Sequence, residues 1–266
     1  MRLDASQSSQ FASALLLTLP TLEGVSTLEL EGTVVSEPYI EATLAVLRHH
    51  RIEVRRVGRR FSIPGGQTYR GRGMRVPGDA SSAAYLWGAA AVTGGTVRVK
   101  GIPEEWPQAD LAILDLLERA GARVRRTRDG ADVAGPVTQG FRADLTGAPD
   151  LYPLAAVLAA AVPRRGELRG APQVVQKESD RRAGAARLAR SMGADVRLRR
   201  GSLEIRGARA PRALRLTDLD DHRMIMSAAV AARVGGGRST LGDARAVAKS
   251  FPEFWSTLDR LSEAAR

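Results

Sequence analysis

The sequence predicts an α/β fold of mixed sheets, built from a unit that recurs at a regular interval along the chain. Asp79, Asp150 and Asp221 are evenly spaced, and each begins an apolar, Ala-rich run with helical character. Glycines that end short strand-like runs recur at nearly the same interval: Gly32, Gly101, Gly170 and Gly242. Because this period is too long for a solenoid repeat and contains several strands, we interpret it as a small mixed-sheet unit.

One full unit can be followed element by element. It begins with a strand over Thr96–Lys100, crosses a proline-rich joint and enters an amphipathic helix that stops at Ala120-Gly121, a typical C-terminal glycine. Two short strands then turn at Arg128-Asp129-Gly130, and a further strand over Phe141–Leu145 leads to the next Asp turn. The predicted order is therefore strand, helix, strand, strand, strand, helix.

Pairing within a unit follows from this order. A strand–helix–strand stretch supplies parallel pairing, and the charged hairpins that begin at Val54, Val124 and Val196 supply antiparallel pairing. We therefore expect small mixed sheets with helices packed inside. The helices after the Asp turns, within Leu151–Val162 and Met224–Val234, are apolar on all sides, which predicts that they are buried.

The units at the two ends are incomplete. The sequence opens on a helix over Ser9–Leu19 with no hairpin before it, and it finishes on a helix over Phe254–Ala264 with no hairpin behind it. Closed domains avoid open sheet edges and unpaired helix faces. We therefore expect a piece of a longer protein, truncated at its N-terminus.

Composition excludes several classes of protein. Hydrophobic residues make up 44% of the chain, enough for the cores of one or two domains. The longest apolar stretch, Leu154–Val162, is too short to span a bilayer, and no signal peptide precedes it. Cysteine is absent and the three histidines show no metal-ligand spacing. We expect a cytoplasmic protein with no metal, no cofactor and no membrane association.

The net charge of +11 admits three explanations: a nucleic-acid surface, a solvated hairpin face, or a concave site for a small polyanion. The arginines are spread over hairpin strands without interleaved aromatics, which argues against nucleic acid. Only three of 40 basic residues are lysines: Lys100, Lys177 and Lys249. Lys177 and Lys249 lie where helices begin, a place that favours anions, although chance survival of three lysines is an alternative explanation.

Seven short motifs resemble those of one enzyme family, in the same order. They are Ser8-Ser9-Gln10-Phe11, Val35-Ser36-Glu37-Pro38-Tyr39, Gly78-Asp79-Ala80-Ser81-Ser82, Pro149-Asp150-Leu151, Lys177-Glu178-Ser179-Asp180-Arg181, Asp221-His222-Arg223-Met224 and Ala248-Lys249-Ser250-Phe251-Pro252. Together they resemble the 3-phosphoshikimate 1-carboxyvinyltransferases, or EPSP synthases. The sister family of UDP-N-acetylglucosamine enolpyruvyl transferases uses a cysteine that this chain lacks.

The resemblance implies an enolpyruvyl transferase-like fold of two domains with six βαβ–ββ–α units. The domain hinge would fall near Pro107-Gln108, so that residues 1–107 form the latter half of one domain and residues 108–266 most of the other. Family motifs that precede those found here would lie upstream of Met1. We therefore expect activity to require a complementary N-terminal half, in the same or another chain.

The resemblance also implies a reaction of chorismate and aromatic amino acid biosynthesis. The family transfers the enolpyruvyl group of phosphoenolpyruvate to the 5-hydroxyl of shikimate 3-phosphate and releases phosphate. Such an addition and elimination needs a base and an acid, and by resemblance Asp150 is the base and Glu178 the proton donor. Arg181 and Arg223 would clamp the phosphoenolpyruvate carboxylate, and Lys249 would contact phosphate.

The shikimate 3-phosphate site implied by the resemblance consists mainly of hydroxyl, amide and ammonium donors: Ser8, Ser9, Gln10, Ser36, Tyr39, Asp150, Gln173 and Lys177. Gln10 would contact both ligands, and His222 would support the site. Helix N-capping is the alternative role for the three repeated Asp residues and for Ser8 and Ser9. Two alternative functions stay open: a non-catalytic anion-binding relative of the fold and a basic nucleic-acid-binding protein.

Overall fold

A computed structural model describes residues 1–263 and shows two compact units. Unit 1 consists of Met1–Pro77 with Glu104–Ala109, and unit 2 consists of Gly78–Pro103 with the chain from Asp110 onward. The last residue of the helix predicted over Phe254–Ala264 lies outside the described residues.

Unit 1 is a four-stranded sheet with two helices. Its elements are β1 (Arg2–Asp4), α1 (Ser9–Thr18), β2 (Val25–Glu31), α2 (Glu37–His49), β3 (Arg55–Val57) and β4 (Arg60–Pro64). The strand order is β1-β2-β4-β3, with β1 parallel to β2 and the remaining pairs antiparallel. Leu28 and Phe61, facing each other on paired strands, are fully buried together with Ile40 of α2. The helix predicted over Ser9–Leu19 and the hairpin predicted from Val54 are confirmed.

Unit 2 repeats the same succession of elements. These are α3 (Ala80–Thr93), β5 (Thr96–Lys100), α4 (Ala112–Arg119), β6 (Arg123–Thr127), β7 (Gly130–Ala134), β8 (Arg142–Asp144), α5 (Tyr152–Ala160), β9 (Arg165–Arg169), α6 (Arg181–Ser191), β10 (Asp195–Arg199), β11 (Ser202–Arg206), β12 (Arg215–Leu216), α7 (His222–Ala232), β13 (Thr240–Leu241) and α8 (Phe254–Glu263). Three sheets result, with strand orders β5-β7-β6, β8-β9-β11-β10 and β12-β13.

The predicted mixture of parallel and antiparallel pairing is confirmed. The strands on either side of α5, β8 and β9, are parallel, and so are β12 and β13 on either side of α7. The hairpins β6–β7 and β10–β11 are antiparallel, as their turn residues predict. Helix α7 therefore connects two parallel strands in the same way as α5 does. The start of each helix lies at the same point of its own βαβ unit.

The core of unit 2 lies between the helices that follow the Asp turns. Helices α3, α5 and α7 pack against one another, and every residue of α5 is buried, as predicted from its apolar sequence. Small side chains allow close approach: a Cβ at Gly88 of α3 would lie 3.0 Å from Leu154 of α5. Deleting most of a fully buried leucine such as Leu154 costs about 2–5 kcal/mol.

The contacts assign residues 78–103 to unit 2, and the hinge near Pro107-Gln108 stays a prediction. Residues 78–103 belong to unit 2 because β5 pairs along its full length with β7, and because α3 packs on α5 and α7. Sequence order alone assigns this segment to the preceding domain, whereas its strand partner comes from the following one.

The hairpin arginines are partly neutralised by acids on neighbouring strands. Arg98 and Arg125 bracket Asp132 on the middle strand, with N–O distances of 2.8 and 2.6 Å, and their hydrogen bonds lower the pKa of Asp132 to about 2. Such cross-strand pairs agree with a solvated hairpin face. None of the helices among the described residues combines the length and the apolar character that a membrane span requires.

Candidate active site

The three repeated Asp residues have different roles at the starts of their helices. Asp79 is the N-cap of α3 and accepts hydrogen bonds from the backbone N–H groups of Ser81 and Ser82. Asp221 caps α7 by accepting from the N–H of Arg223. Asp150 lies within a 3-10 turn, Pro149–Leu151, and neither that turn nor α5 has a side-chain cap. The capping alternative therefore applies to the first and third positions, while Asp150 is available for other contacts.

Arg181, at the start of α6, is the centre of a buried charge cluster. Its side chain is 1% exposed and contacts three carboxylates. Nε donates to Asp221 at 2.8 Å, Nη1 to Asp150 at 2.6 Å and Nη2 to Glu178 at 2.6 Å. A planar guanidinium suits this task because its donors point in several fixed directions. One cation thus joins residues from three helix starts.

The carboxylates hold Arg181 firmly in its charged form. Burial acts to lower the pKa of Arg181, but the hydrogen bond to Asp221 and the charges of Asp221, Asp150 and Glu178 raise it above its ordinary value. For Asp221, burial acts to raise the pKa, and the hydrogen bond and charge of Arg181 lower it overall. Ser179 also donates to Asp221, at 2.9 Å. The pair is therefore ionised on both sides.

Asp150 meets cations on both of its oxygens. Oδ1 accepts from Arg181 and lies 3.7 Å from Nζ of Lys177, while Oδ2 lies 3.1 Å from Nη2 of Arg223. The carboxylate is 15% exposed, so it is largely buried but still in contact with solvent. A carboxylate fixed in this way presents a proton acceptor in a defined position.

Glu178 lies between Arg181 and Lys249. Its Oε2 accepts from Arg181, and its Oε1 accepts from Nζ of Lys249 at 2.7 Å. Partial burial acts to raise the pKa of Glu178, but the hydrogen bond from Lys249 and the charges of both cations lower it to about 2. In this arrangement Glu178 is a carboxylate, paired with the most exposed cation of the cluster.

Arg223 and His222 begin α7. The guanidinium of Arg223 donates a hydrogen bond to the hydroxyl oxygen of Tyr85. Burial acts to lower the pKa of Arg223, but Tyr85, Asp150 and Asp110 together raise it above its ordinary value. His222 is 5% exposed, and burial together with the charge of Arg223 lowers its pKa. At neutral pH His222 is therefore an uncharged neighbour. In the part of the chain that the structure describes, no three acidic or histidine side chains form a group that could hold a metal ion.

The sequence-predicted residues of unit 1 lie at two helix starts. Ser8 caps α1 by accepting from the N–H of Gln10, and Ser9 is buried in the first turn. Ser36 takes a left-handed backbone conformation, φ 56°, directly before α2. A 2.7 Å hydrogen bond between Ser13 and Thr43, each near the middle of its helix, joins α1 to α2. Tyr39 lies in the first turn of α2.

Gln173 lies in unit 2, in a 3-10 segment after β9. Its side chain is 5% exposed, and Nε2 donates to the backbone carbonyl of Thr146 at 3.3 Å. Lys177 directly follows this segment, and its Nζ lies 3.7 Å from Oδ1 of Asp150.

A family model for EPSP synthase (3-phosphoshikimate 1-carboxyvinyltransferase) matches residues 1–258, almost the whole chain. This chain belongs to the EPSP synthase family. A 3-phosphoshikimate 1-carboxyvinyltransferase from Thermococcus kodakarensis is 42% identical over 262 residues, covering 98% of this chain and 63% of the relative. A second relative of the same name, from Syntrophobacter fumaroxidans, is 39% identical over 263 residues, covering 97% of this chain and 62% of the relative. The chain thus spans just over three-fifths of the length of these curated relatives.

The fold of the EPSP synthase family is also found by structural comparison. A solved EPSP synthase from Acinetobacter baumannii superimposes with a TM-score of 0.82 at 24% identity, covering 98% of this chain and 62% of that structure. The predicted α/β, enolpyruvyl transferase-like fold is therefore confirmed. At this identity the likeness concerns the fold alone.

Two buried residues that interact electrostatically with the charge cluster were missed by sequence reasoning. Tyr85 and Asp110 are 2% exposed, and both interact with Arg223. The Gly-Asp-Ala-Ser-Ser motif of the EPSP synthase family lies one turn before Tyr85, which offered a signal for that residue. Asp110 resembles an ordinary acid at the start of an amphipathic helix, so its burial could not be read from the sequence.

Proposed function

We propose that this chain supplies the acid–base pair and much of the anion-binding surface for enolpyruvyl transfer from phosphoenolpyruvate to the 5-hydroxyl of shikimate 3-phosphate. The observation that carries the proposal is the meeting of Asp150 and Glu178 with Lys177, Arg181, Arg223 and Lys249 in a member of the EPSP synthase family. Two carboxylates and four cations provide proton transfer and charge neutralisation in one place.

The chemistry divides between the two carboxylates. In the addition step, the oxygen of the 5-hydroxyl bonds to C2 of phosphoenolpyruvate and its proton passes to Asp150. Glu178 protonates the methylene carbon at the same time. In the elimination step, Glu178 takes back a methyl proton, the bond from C2 to the phosphate oxygen breaks, and Asp150 returns its proton to the departing phosphate. Both carboxylates end as they began, which is the balance that a catalyst requires.

Glu178 must be protonated before it can act as the proton donor, and its contacts indicate how ligand binding favours that protonation. In the ligand-free arrangement the hydrogen bond from Lys249 lowers the pKa of Glu178, whereas burial acts to raise it. An anion that takes Lys249 away removes one of the two cations that lower this pKa, while burial and the contact with Arg181 remain. Ligand binding would therefore raise the pKa of Glu178 and favour its protonated form.

The four cations differ in their access to a ligand. Side-chain exposure is 59% for Lys249, 30% for Lys177 and 13% for Arg223, against 1% for Arg181. We assign the phosphate contact to Lys249 and the carboxylate contact first to Arg223. Arg181 would serve mainly to position the three acids, and its direct contact with the phosphoenolpyruvate carboxylate stays a prediction.

We assign shikimate 3-phosphate to the eight residues that the family resemblance implies. Ser8, Ser9 and Gln10 offer hydroxyl, amide and backbone donors at the start of α1, and Ser36 and Tyr39 do so near the start of α2. Helix starts carry unpaired N–H groups and favour phosphate. From unit 2, Asp150, Gln173 and Lys177 belong to the same assignment.

Full activity is proposed to need residues that correspond to the part of the relatives outside the match. The relatives are covered to 62–63% of their length, and the remainder would contribute further substrate contacts. Mixing this chain with that remaining fragment of a relative should produce phosphate release from the two substrates, while this chain alone should show none. Robust turnover by this chain alone would contradict the need for a complementary part. A cytoplasmic location belongs to the same proposal.

Calorimetry tests the proposed ligands directly. Shikimate 3-phosphate should bind the chain, and inorganic phosphate should compete with it, while duplex DNA should bind weakly with steep salt dependence. Lys249→Gln should weaken phosphate binding and Lys100→Gln, on the exposed end of β5, should not. Tight, sequence-selective binding of DNA at physiological salt would favour the nucleic-acid alternative.

A further inference from the structure

Asp110 is a buried carboxyl that the proposed chemistry does not use. It lies in a 3-10 turn, Ala109–Leu111, before α4, and it is 2% exposed. Its Oδ2 accepts a hydrogen bond from the Ser81 hydroxyl at the start of α3. Its Oδ1 is buried and accepts no hydrogen bond from any residue that the structure describes. A buried carboxylate oxygen without a donor is costly, so this atom requires an explanation.

The groups that act on Asp110 lie at the starts of three helices, and two of them, Asp150 and Arg223, belong to the charge cluster. Asp79 and Ser81 face it from the start of α3, Asp150 from the turn before α5, and Arg223 from α7. Burial raises the pKa of Asp110 to about 6, with the charges of Asp150 and Asp79 acting in the same direction. The Ser81 hydrogen bond and the charge of Arg223 oppose this rise. The ionised form of Asp110 is thus favoured first by Ser81 and then by Arg223, and Arg223 is the one of the two that carries a charge.

We propose that Asp110 takes up a proton when an anion binds at Arg223, so that anion binding and protonation of Asp110 favour each other. This inference rests on the proposed function, which assigns the carboxylate of phosphoenolpyruvate to Arg223. The proton comes from solvent and adds to the buried carboxylate, and no other bond is made or broken.

The physical reason is the charge balance around Arg223. Its guanidinium already lies 3.1 Å from Asp150 and also interacts with Asp110. A ligand carboxylate adds a further negative charge and offsets the positive charge that keeps Asp110 ionised. Like charges this close in a partly buried site cannot all remain ionised without cost. Reciprocity then requires that protonated Asp110 strengthens anion binding by the same factor.

A purely structural role of Asp110 predicts a different result. If Asp110 only anchors the start of α3 through Ser81, its ionisation is indifferent to the ligand. Asp110→Asn separates the two roles because an amide oxygen can still accept from Ser81, while the charge and the titration are lost. Asp115→Asn is the matched control, since Asp115 lies on α4, is 57% exposed and pairs with Arg126.

The experiment is calorimetric titration of phosphoenolpyruvate into the wild-type chain and both variants, between about pH 5.5 and 8, in pairs of buffers with different ionisation heats. The phosphate of the ligand titrates in the same range, but its contribution is common to all three proteins and cancels in the comparison. Wild type and Asp115→Asn should take up additional protons on binding near pH 7, and Asp110→Asn should not. Near pH 8, Asp110→Asn should bind about tenfold more tightly than wild type, and the two should converge near pH 5.5.

The outcomes separate this inference from the proposed function. Binding with the same proton uptake in wild type and Asp110→Asn overturns the role of Asp110 and leaves the anion site intact. Absence of binding by every protein overturns the anion assignment, and this inference with it. If Asp110→Asn does not fold, the ¹³C chemical shift of the Asp110 carboxyl in labelled wild type tests the proposal instead. The titration of this carboxyl should move to higher pH when phosphoenolpyruvate saturates the site. A titration that does not move contradicts the proposal.

Discussion

Lys249 donates a hydrogen bond to Glu178 over 2.7 Å, and the two residues stand 71 positions apart, one repeat period. Asp150 and Asp221, also one period apart, meet on the same guanidinium. Repetition of the unit places helix starts of successive repeats next to one another. The same repetition that builds the fold therefore gathers the charges of the site.

The two site lysines should not tolerate exchange for arginine. Lys177→Arg and Lys249→Arg keep the charge but enlarge and flatten the head group, so ligand binding or turnover of the complemented protein should fall at least tenfold, about 1.4 kcal/mol. Lys100→Arg, on the exposed end of β5, is the control and should change stability by no more than about 0.5 kcal/mol. Equal tolerance at all three positions would show that the lysines have no special role.

Arg181 should be far more important for stability than a neighbouring arginine on the same helix. Arg181→Met leaves three carboxylates without their shared cation and should lower the free energy of unfolding by about 3–5 kcal/mol in urea denaturation. Arg187→Met removes an exposed pair with Asp218, half-exposed on the arginine side, and should cost about 1 kcal/mol or less. Similar losses for both variants would mean that the buried cluster is not held by Arg181.

Substitutions at Asp150 and Asp79 should distinguish a catalytic role from a helix-capping role. In the complemented protein, Asp150→Asn keeps the shape of the side chain but removes proton transfer, so kcat should fall about 10²–10⁴-fold with a smaller change in KM. Glu178→Gln should behave in the same way. Asp79→Asn keeps an N-cap and should leave kcat within a few-fold of wild type. A loss of melting temperature with unchanged kcat for Asp150→Asn would favour a structural role.

Stability should depend on pH with opposite signs at Asp110 and Glu178. The folded-state pKa of Asp110, about 6, lies above its unfolded value, so its contribution to stability is present below about pH 3.8 and is lost as pH rises through about 6. Relative to wild type, Asp110→Asn should therefore become more stable by about 1–3 kcal/mol between about pH 4 and pH 7. Thermal unfolding across this range measures the difference.

Glu178 provides the contrast to that titration. Its folded-state pKa of about 2 lies below the ordinary value of 4.5, so its contribution is present above about pH 4.5 and is lost as pH falls towards 2. Glu178→Gln should therefore lose stability relative to wild type as pH rises from about 2 to 4.5. The effect should be modest, because the side chain is one-third exposed and screened by solvent.

The sequence by itself determined the repeat, the order of the elements and the chemical types at the site. Strand and helix runs follow from periodicity and turn residues, and the even spacing of Asp79, Asp150 and Asp221 marks the three turns. Seven short motifs in the same order, among them those around Asp150, Glu178 and Lys249, predicted the family. These features are local, since each depends on residues adjacent in the chain.

Only the tertiary structure decided which charges meet and which of them are buried. It pairs β5 with β7 and so assigns residues 78–103 to unit 2. It buries Arg181 among three acids, and it buries Asp110 where the charge of Arg223 acts on it. Pairing, burial and pKa depend on segments far apart in the chain, because the dielectric and the neighbours of a charge are set by packing and not by the residues that flank it.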